Sequence, residues 1–424
     1  MSRLIILFIC VLSLSGRSEV KISEVKKQKS LVAYSIKTKY YKVFLVNPAK
    51  YNHAKYSENS LRGGWFKNFL IKNASNGIMG SGESIFGDFR FGLTQAFEPE
   101  IELRKGMTEA VLPGIGIAKV KNNKIDRVKK FFPWTFSFRY KDNKGIVSFS
   151  QNYSDKKAET VYKLRIDCIF SDSAEIIVKG VFLNNGKSEI RGGICPLPIF
   201  KRGLEKTEWI SIPHVRSKLV KKKRWQYIDT SPLSVDRMHD YYEFYSERLS
   251  KAKRWIAAGG LQDKELMVFK ANRPLNKVIF WKTPHFFSIS PMVNIKVAPV
   301  KRLEWQWKYL FGRGLDRVDA VLKNGLMSCQ ISPLSSKSKY FKGLLNFLPY
   351  KEMEDVSIDA TFKNHRRRII STGTYTMLTM SPLCPGYANL KLNKRFRSGN
   401  RYIMKVEVFV DDLPVESKDE VLYP

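Results

Sequence analysis

Apolar and polar residues alternate along most of this chain, in short segments separated by turn-forming residues. Alternation with a period of two is typical of β-strands, because successive side chains of a strand point to opposite faces of the sheet. The clearest segments are rich in β-branched and aromatic residues and cover residues 40–46, 131–140, 146–153, 161–170 and 175–183. Strands that recur about every dozen residues with little helix between them predict an all-β sandwich.

One stretch, residues 234–253, also has the features of a helix. Its acidic residues lie near the start, whereas Lys251 and Lys253 lie near the end, and a helix dipole favours this order of charges. The aromatic residues of 241–245 fit a strand equally well. The sequence leaves both interpretations open.

The pattern predicts two β domains. Strands at 293–297 and 303–309 close the first domain, and Gly312-Arg313-Gly314 has the composition of a linker. A smaller β domain follows, and we expect its acidic tail from Asp411 to be mobile. The strands predicted for this second domain lie at 357–362, 369–379 and 401–410. The predicted units are a signal peptide at 1–18, a large domain at 30–311 and a C-terminal β-sandwich at 315–424.

The first residues predict export. Arg3 precedes an almost wholly apolar run at 4–14, and Ser13, Ser15 and Gly16 are small enough for a signal-peptide cleavage site. The run is short for a membrane span, and a retained anchor is the alternative. No later segment has about eighteen consecutive apolar residues. We therefore expect a soluble mature chain, periplasmic or extracellular, without a transmembrane segment.

The chain is strongly basic, with 74 Lys and Arg against 39 Asp and Glu and a net charge of +35. This excess predicts affinity for polyanions, which for an exported protein are acidic or sulfated glycans, lipopolysaccharide and phospholipid surfaces. No nucleic-acid partner is expected, because no nucleic-acid-binding motif is present. Basic residues cluster at 216–224, 365–368 and 394–401. The charge is also spread along the whole chain, so a generally basic surface is the alternative.

Four of the five cysteines remain after the signal peptide, since Cys10 lies within it. The simplest disulfides join Cys168 to Cys195 and Cys329 to Cys384, and buried free thiols are the alternative. The cysteine and histidine spacing matches no metal site, and no phosphate-binding loop or redox pair is present. The sequence therefore predicts neither a metal nor a cofactor.

Carboxylates cluster in one short segment of this basic chain. Glu98, Glu100 and Glu102 have the spacing of residues on one face of a strand, and Glu109 follows closely. Like charges on one face repel one another unless a partner compensates. A sugar, a metal or a basic partner would do so, and the simplest alternative is ion pairing with the neighbouring arginines.

Four pieces of the chain, in order, resemble the galactose mutarotase-like proteins, in particular their uncharacterised exported branch. A tyrosine and histidine segment at 50–56 precedes a glycine-aromatic turn, and an acidic block at 92–116 ends in a proline-glycine turn and a glycine-rich strand. Residues 181–186 are similar to the central strand end of these proteins, and 291–309 to their closing pair of strands. The resemblance covers about residues 35–311. It implies an aldose 1-epimerase-like β-supersandwich and a sugar ligand.

The chain departs from the catalytic pattern that this resemblance implies. Active mutarotases place a histidine, which protonates the sugar ring oxygen, shortly after the asparagine-glycine strand end, and residues 190–198 here contain none. The general-base glutamate is expected late in the domain, and residues 288–301 contain no acid, with Glu304 close by. Epimerisation needs an acid and a base on opposite sides of the ring. The family positions of this chain therefore do not hold such a pair.

The candidate site residues have side chains suited to sugar hydroxyls, sugar rings or acidic groups. Those for substrate binding are His53, Arg90, Glu98, Glu100 and Trp225. Trp225 follows four cations, and an indole in this setting stacks a sugar ring while the cations hold sulfate or carboxylate groups. The catalytic candidates are Glu98, Glu100 and His239, whose neighbour Asp240 would orient the imidazole.

Two functions from different classes follow. The first is an exported carbohydrate-binding protein that holds an acidic or sulfated saccharide on the large sheet, with epimerase or mutarotase chemistry if it turns the sugar over. The second is a non-enzymatic envelope scaffold that binds an anionic polymer or a protein partner through its basic surface. Enzymatic activity and oligomeric state are left open by the sequence.

Overall fold

The structure is a computed structural model, and it describes residues 20–24, 32–46, 66–71, 93–100, 106–122, 124–154, 161–202, 207–212, 215–219, 224–228, 233–245, 255–260, 264–333, 341–364, 366–390, 402–410 and 413–422. The described residues form 31 β-strands and no helix, so the predicted all-β fold is confirmed. None of them belongs to a helix long and apolar enough to cross a bilayer. The strands are β1 (Lys21–Glu24), β2 (Val32–Lys37), β3 (Tyr41–Val46), β4 (Phe66–Ile71), β5 (Leu93–Glu100), β6 (Glu109–Leu112), β7 (Gly116–Lys121), β8 (Lys124–Phe131), β9 (Thr135–Lys141), β10 (Lys144–Tyr153), β11 (Tyr162–Phe170), β12 (Glu175–Asn184), β13 (Ile190–Lys201), β14 (Glu208–Ser211), β15 (Val215–Leu219), β16 (Arg224–Ile228), β17 (Leu233–Ser234), β18 (Tyr241–Tyr245), β19 (Trp255–Gly260), β20 (Glu265–Ala271), β21 (Lys277–Lys282), β22 (Phe286–Val297), β23 (Arg302–Arg313), β24 (Ala320–Val321), β25 (Gly325–Pro333), β26 (Phe341–Pro349), β27 (Met353–Lys363), β28 (Ile369–Met380), β29 (Gly386–Leu390), β30 (Tyr402–Val410) and β31 (Leu413–Leu422).

Two large antiparallel sheets form the first part of the chain. The 11-stranded sheet has the order β1-β2-β3-β4-β5-β13-β22-β21-β18-β15-β16, and the nine-stranded sheet has the order β17-β14-β19-β20-β23-β12-β11-β10-β9. Buried side chains from both sheets form one continuous core between them. Each strand contributes alternate residues, as in β11, where Leu164, Ile166 and Cys168 are buried and the residues between them are more exposed. This two-layer arrangement agrees with the predicted supersandwich.

Two tryptophans of β23 fill the core beside β12. Trp305 and Trp307 are 4% and 2% exposed. Trp305 pairs with Gly180, and a Cβ atom on that glycine would lie 1.9 Å from the indole. Glycine is required here because any side chain would occupy the space of the ring.

A small sheet of order β6-β7-β8 lies beside the large sheets. Its own buried cluster consists of Leu112, Ile115 and Ala118. In the turn from β6 to β7, Gly114 has a φ of 82° and its amide donates a hydrogen bond to the Tyr162 hydroxyl at 3.1 Å. This bond fastens the small sheet to the nine-stranded sheet.

The C-terminal part is a second, smaller sandwich. Its two four-stranded sheets have the orders β24-β25-β26-β29 and β28-β27-β30-β31. Side chains of both sheets, such as Phe347 from one and Ile358 from the other, form a separate buried cluster. The predicted small β-sandwich after the large one is therefore confirmed as a fold, whereas its exact boundaries remain predictions.

The C-terminal sandwich packs on the outer face of the nine-stranded sheet, which is the face turned away from the large core. The Ala174 amide donates to the Tyr350 carbonyl at 2.7 Å, and the Arg313 amide donates to the Pro382 carbonyl at 3.0 Å. Apolar residues of both parts form a third buried cluster: Trp209, Trp255, Ala257, Leu266, Val268 and Leu310 from the large sheet, with Leu315, Val318, Val321, Leu326, Leu348 and Tyr350 from the C-terminal part.

The helix considered for residues 234–253 does not form in its described part. A turn follows β17, and β18 then pairs with β21. Phe244 is fully buried, and Tyr242 packs against it and against Phe280. These alternating aromatic side chains cover the core as a strand does, so the strand interpretation is confirmed for 241–245; residues 246–254 lie outside the described residues.

Three local predictions were wrong. Gly312 and Arg313 extend β23 rather than forming a linker, and Arg313 forms an ion pair with the buried Glu265 at 3.3 Å. The tail expected to be mobile forms β31, which pairs along β30. The segment 131–140 is divided between β8 and β9, with Pro133 in the gap, because proline lacks the amide that a central strand needs. The first two predictions failed because each segment pairs with a neighbouring strand, and local composition does not reveal such pairing.

Cys168, Cys329 and Cys384 are free thiols. Cys168 and Cys329 are buried and Cys384 is exposed, so neither the Cys168–Cys195 nor the Cys329–Cys384 disulfide is formed. Burial raises the pKa of the Cys168 and Cys329 thiols, which keeps both protonated and unreactive at neutral pH.

Candidate functional site

Two of the predicted site residues, Glu98 and Glu100, lie on a central strand of the 11-stranded sheet. Glu98 of β5 pairs with Gly193 of β13, and Glu100 pairs with Arg191. On the other side of β13, Gly193 pairs with Asn294 of β22. These positions belong to the outer face of the sheet, because the alternate residues of β13 and β22 lie in the core.

Trp225 lies in the same sheet but far from these carboxylates. It belongs to β16, the last strand of the order, and pairs with Lys218 of β15. Six strand spacings separate β16 from β5, which is about 29 Å at about 4.8 Å per strand. One sugar unit therefore cannot contact both ends, and only an extended saccharide would reach from Glu98 to Trp225.

The remaining predicted residues do not complete this site. His239 lies in the turn before β18, where it is exposed and its ring centre is 5.9 Å from that of Tyr242. His53 and Arg90 lie outside the described residues.

Between β5 and β16, the outer face carries a group of aromatic and charged side chains that we call the aromatic patch: Tyr241, Glu243, Lys277 and Trp281. Tyr241 is directly opposite Trp281 on adjacent strands, and Glu243 is two residues from Tyr241 on the same strand face. Directly opposed residues have Cβ atoms about 4.5–5.5 Å apart, so the two rings form one surface. Tyr241 is 37% exposed and Trp281 is partly exposed, so this surface is open to solvent.

Polar contacts hold the aromatic patch in place. The Tyr241 hydroxyl donates to the Glu243 carboxylate (Oε1) at 3.2 Å, and Lys277 Nζ lies 3.4 Å from the same oxygen. The side chains of Glu243 and Lys277 are 18% and 27% exposed. A carboxylate and an ammonium group beside two aromatic rings provide an acceptor and donors for hydroxyl groups.

The floor next to the patch is polar and buried. Ser288, opposite Trp281, and Ser290 are buried, and their hydroxyl oxygens are 2.9 Å apart. At the start of β13, Arg191 donates to Glu189 at 2.6 Å and Lys296 lies 3.2 Å from the same carboxylate. The hydrogen bond from Arg191, with the help of Lys296, lowers the pKa of the Glu189 carboxyl. This end of the face is therefore charged at neutral pH.

Sequence reasoning missed the aromatic patch because its first strand lay in the stretch considered as a helix. The signal was present in Tyr241-Tyr242-Glu243-Phe244-Tyr245, where the alternation of residue types fits a half-buried strand. Trp281 has no local signal of this kind, since its partner Tyr241 comes from a strand 40 residues earlier in the chain.

Two other acids of interest lie elsewhere. Glu109 is on β6 of the small sheet, where it forms an ion pair with Lys129. Glu304 is on the nine-stranded sheet and pairs with Arg302. Neither lies on the outer face of the 11-stranded sheet, so neither can act with the aromatic patch. In the described ranges, no group of three or more His, Cys, Asp or Glu side chains is arranged to hold a metal ion.

Solved structures similar to this chain include three bacterial proteins. Slr1438 from Synechocystis sp. PCC 6803 has 10% identity and a TM-score of 0.45, covering 70% of this chain and 98% of its own. A galactose mutarotase-like protein from Lactobacillus casei has 12% identity and a TM-score of 0.42, covering 65% and 99%. A galactose mutarotase related enzyme from Lactobacillus acidophilus has 12% identity and a TM-score of 0.39, covering 68% and 99%.

The second and third of these proteins are of the class that the sequence pieces resemble. A likeness at this level describes the fold alone, so the site is assigned from the residues of this chain. No protein-family model matches the chain, and no curated protein matches it.

Proposed function

We propose that this protein binds a saccharide on the outer face of the 11-stranded sheet, over the aromatic patch. The observation that carries the proposal is the open pair of rings formed by Tyr241 and Trp281, with Glu243 and Lys277 beside them. Sugar rings present apolar C–H faces that pack on aromatic side chains, and their hydroxyl groups bond to carboxylates and ammonium groups. A saccharide contacts the aromatic rings and the charged side chains of this patch at the same time.

The preferred ligand is an acidic or sulfated saccharide. Lys277 lies within the patch, Arg191 and Lys296 lie along the same sheet, and the whole chain has a net charge of +35. These cations strengthen the binding of carboxylate or sulfate groups and make it sensitive to salt.

Binding rather than turnover is the main activity that we propose. The Tyr241 hydroxyl donates a hydrogen bond to Glu243 on one strand face, so both groups contact a sugar from the same side. Epimerisation requires an acid and a base on opposite sides of the ring. If the protein turns over a sugar, the reaction that we propose is an epimerisation or mutarotation.

We also propose that the protein is exported to the periplasm or the exterior. The support is the apolar run at 4–14 after Arg3, together with a ligand class that is abundant on cell surfaces. Fractionation of cells that express the full chain, followed by N-terminal sequencing of the mature form, tests this part separately.

The test of saccharide binding compares Trp281→Ala with wild type on a panel of neutral, uronic-acid and sulfated oligosaccharides. We expect loss of the stacking surface to weaken binding about tenfold, which corresponds to about 1.4 kcal/mol. The matched control is Tyr387→Ala, because Tyr387 is a 71% exposed aromatic residue of the C-terminal sandwich. Isothermal titration calorimetry at low and high salt measures both variants.

The second candidate, a non-enzymatic scaffold, is favoured by the spread of basic residues. It predicts binding to every polyanion, complete loss of binding at high salt, and equal affinities for wild type and Trp281→Ala. That result, or the absence of any saccharide binding, would contradict the proposed site.

A further inference from the structure

The nine-stranded sheet has an open cleft on its outer face, on the opposite side of the molecule's large core from the aromatic patch. The cleft has a volume of about 680 Å³, and its lining comes from β10, β11, β12, β23 and the residue that follows β20. Ligand cavities in proteins usually measure about 300–1,000 Å³. The cleft is therefore large enough for a short oligosaccharide and much larger than a single ion needs.

The lining residues form three rows across four strands. The residues of these rows face away from the core, whereas Leu164 and Trp305, which also line the cleft, occupy the alternate, core-facing positions of the same strands. The rows are Asn152-Lys163-Leu183-Arg302, Ser150-Arg165-Val181-Glu304 and Ser148-Asp167-Lys179-Gln306, and all of these residues except Ser148 line the cleft. Three strand spacings of about 4.8 Å make the surface about 14 Å wide.

Positive charge exceeds negative charge on this surface, and the carboxylates are paired with arginines in a regular arrangement. Arg165 Nε lies 2.8 Å from Asp167, and the Arg302 guanidinium lies 2.5 Å from Glu304, so each carboxylate of the cleft has an arginine partner on its own strand. Lys163 and Lys179 are exposed and add two further positive charges. The cleft thus attracts anions, and its ion pairs fix the arginines in place.

The uncharged lining favours a glycan over other polyanions. Asn152, Gln306 and Asn272 provide amide groups that bond to hydroxyl groups, and Val181 and Leu183 form a partly buried apolar strip. Single-stranded nucleic acids are bound by aromatic side chains that stack on bases. Trp305, the aromatic residue among the described lining residues, is only 4% exposed and belongs to the core, so it offers little ring surface for a base to stack on. A flat lipid surface would meet the two carboxylates and could not enter a concave site.

We propose that this cleft is a second binding site, which takes a linear acidic polysaccharide segment whose carboxylate or sulfate groups lie against Lys163 and Lys179. Its ring faces rest on the strip formed by Val181 and Leu183, and its hydroxyl groups bond to the amides. The two sites lie on opposite outer faces, so one chain of this protein cross-links two glycan segments.

The test is a binding titration of the full chain with labelled hexagalacturonate, a neutral galactose hexamer and a single-stranded oligonucleotide, in a Trp281→Ala background that isolates the cleft. We expect Lys163→Glu with Lys179→Glu to weaken hexagalacturonate binding at least about tenfold. Lys163→Gln with Lys179→Gln should weaken it less, and this pair replaces the first if charge reversal prevents folding.

The matched control is Lys124→Glu with Lys130→Glu, two exposed lysines of the small sheet that carry the same change of net charge. We expect less than a twofold change there. Equal losses in both double variants would show a general charge effect and overturn the proposal, as would equal affinity for the oligonucleotide. Failure of the aromatic patch is a separate result, because Trp281→Ala leaves the cleft intact.

Discussion

The outer face of the nine-stranded sheet has two halves that differ in what covers them. The outward-facing residues of β23 are Arg302, Glu304, Gln306, Lys308 and Leu310. Along the strand their side chains go from exposed at Arg302 to fully buried at Leu310. In the open half this face forms the charged cleft, and in the covered half it packs on the C-terminal sandwich. One regular strand thus serves as a ligand surface at one end and as an interface at the other.

This difference shows what the alternation of apolar and polar residues along a strand indicates and what it does not. Period-two patterning separates the core side from the outer side, and it holds in β11, β12 and the first part of β23. Where a second layer covers the outer side, residues of both parities are apolar, as in Tyr309-Leu310-Phe311. A continuous apolar run therefore marks an interface on both faces of the sheet.

The largest expected effect comes from extending the polar pattern into the covered half. Leu310→Lys places an unpaired charge among fully buried side chains between the sheet and the C-terminal sandwich. We expect it to lower the free energy of unfolding by about 3 kcal/mol or more and to loosen the C-terminal sandwich. Chemical denaturation and limited proteolysis measure the two effects.

The matched control for that change is Leu183→Lys, an outward-facing and only partly buried residue of the open half. We expect a loss below about 1 kcal/mol there, in keeping with substitutions away from buried features. Similar losses in both variants would remove the distinction between the halves.

A somewhat smaller effect is expected at the floor of the open half. In Gly180→Val the new side chain would occupy the position of the Trp305 indole, 1.9 Å from the ideal Cβ. Overpacking of this kind costs about 1–3 kcal/mol, which thermal or urea denaturation measures. Adding Trp305→Leu should restore part of the stability, and a double variant less stable than Gly180→Val alone would contradict the close contact.

The smallest effect tests a second contact of the C-terminal sandwich, with the turn before β3. The Glu352 amide donates to the Tyr40 hydroxyl at 3.2 Å, and Lys39 forms an ion pair with the Glu352 carboxylate. Tyr40→Phe should lower the free energy of unfolding by about 1 kcal/mol at pH 7, because the partly buried Glu352 amide loses its acceptor.

This contact also has a pH signature. Burial raises the pKa of Tyr40 to about 12, above its ordinary value near 10. The neutral phenol therefore stabilises the folded state fully below pH 10, and this contribution is lost as the pH rises through about 12. Denaturation curves between pH 9 and 12 should converge for wild type and Tyr40→Phe. Parallel curves would show that Tyr40 ionises equally well in the folded state.

The sequence located most strands of the large sandwich but only part of the candidate site. It singled out Glu98 and Glu100 of one strand and Trp225 of another, and these two strands share one sheet yet lie about 29 Å apart. It did not single out Tyr241 or Trp281, whose proximity depends on pairing between β18 and β21. Sites of this kind are set by register, and register is a property of two segments rather than one.

The sequence by itself determined that the chain is built of strands with one buried face, since alternation of apolar and polar residues permits little else. It also determined a separate C-terminal β unit and a strongly basic surface. Only the tertiary structure decided which residues of different strands lie side by side, which thiols remain free and which part of an outer face is covered. The physical reason is that hydrophobic burial along one strand is a local pattern, whereas strand order and layer contacts arise from the packing of the whole chain.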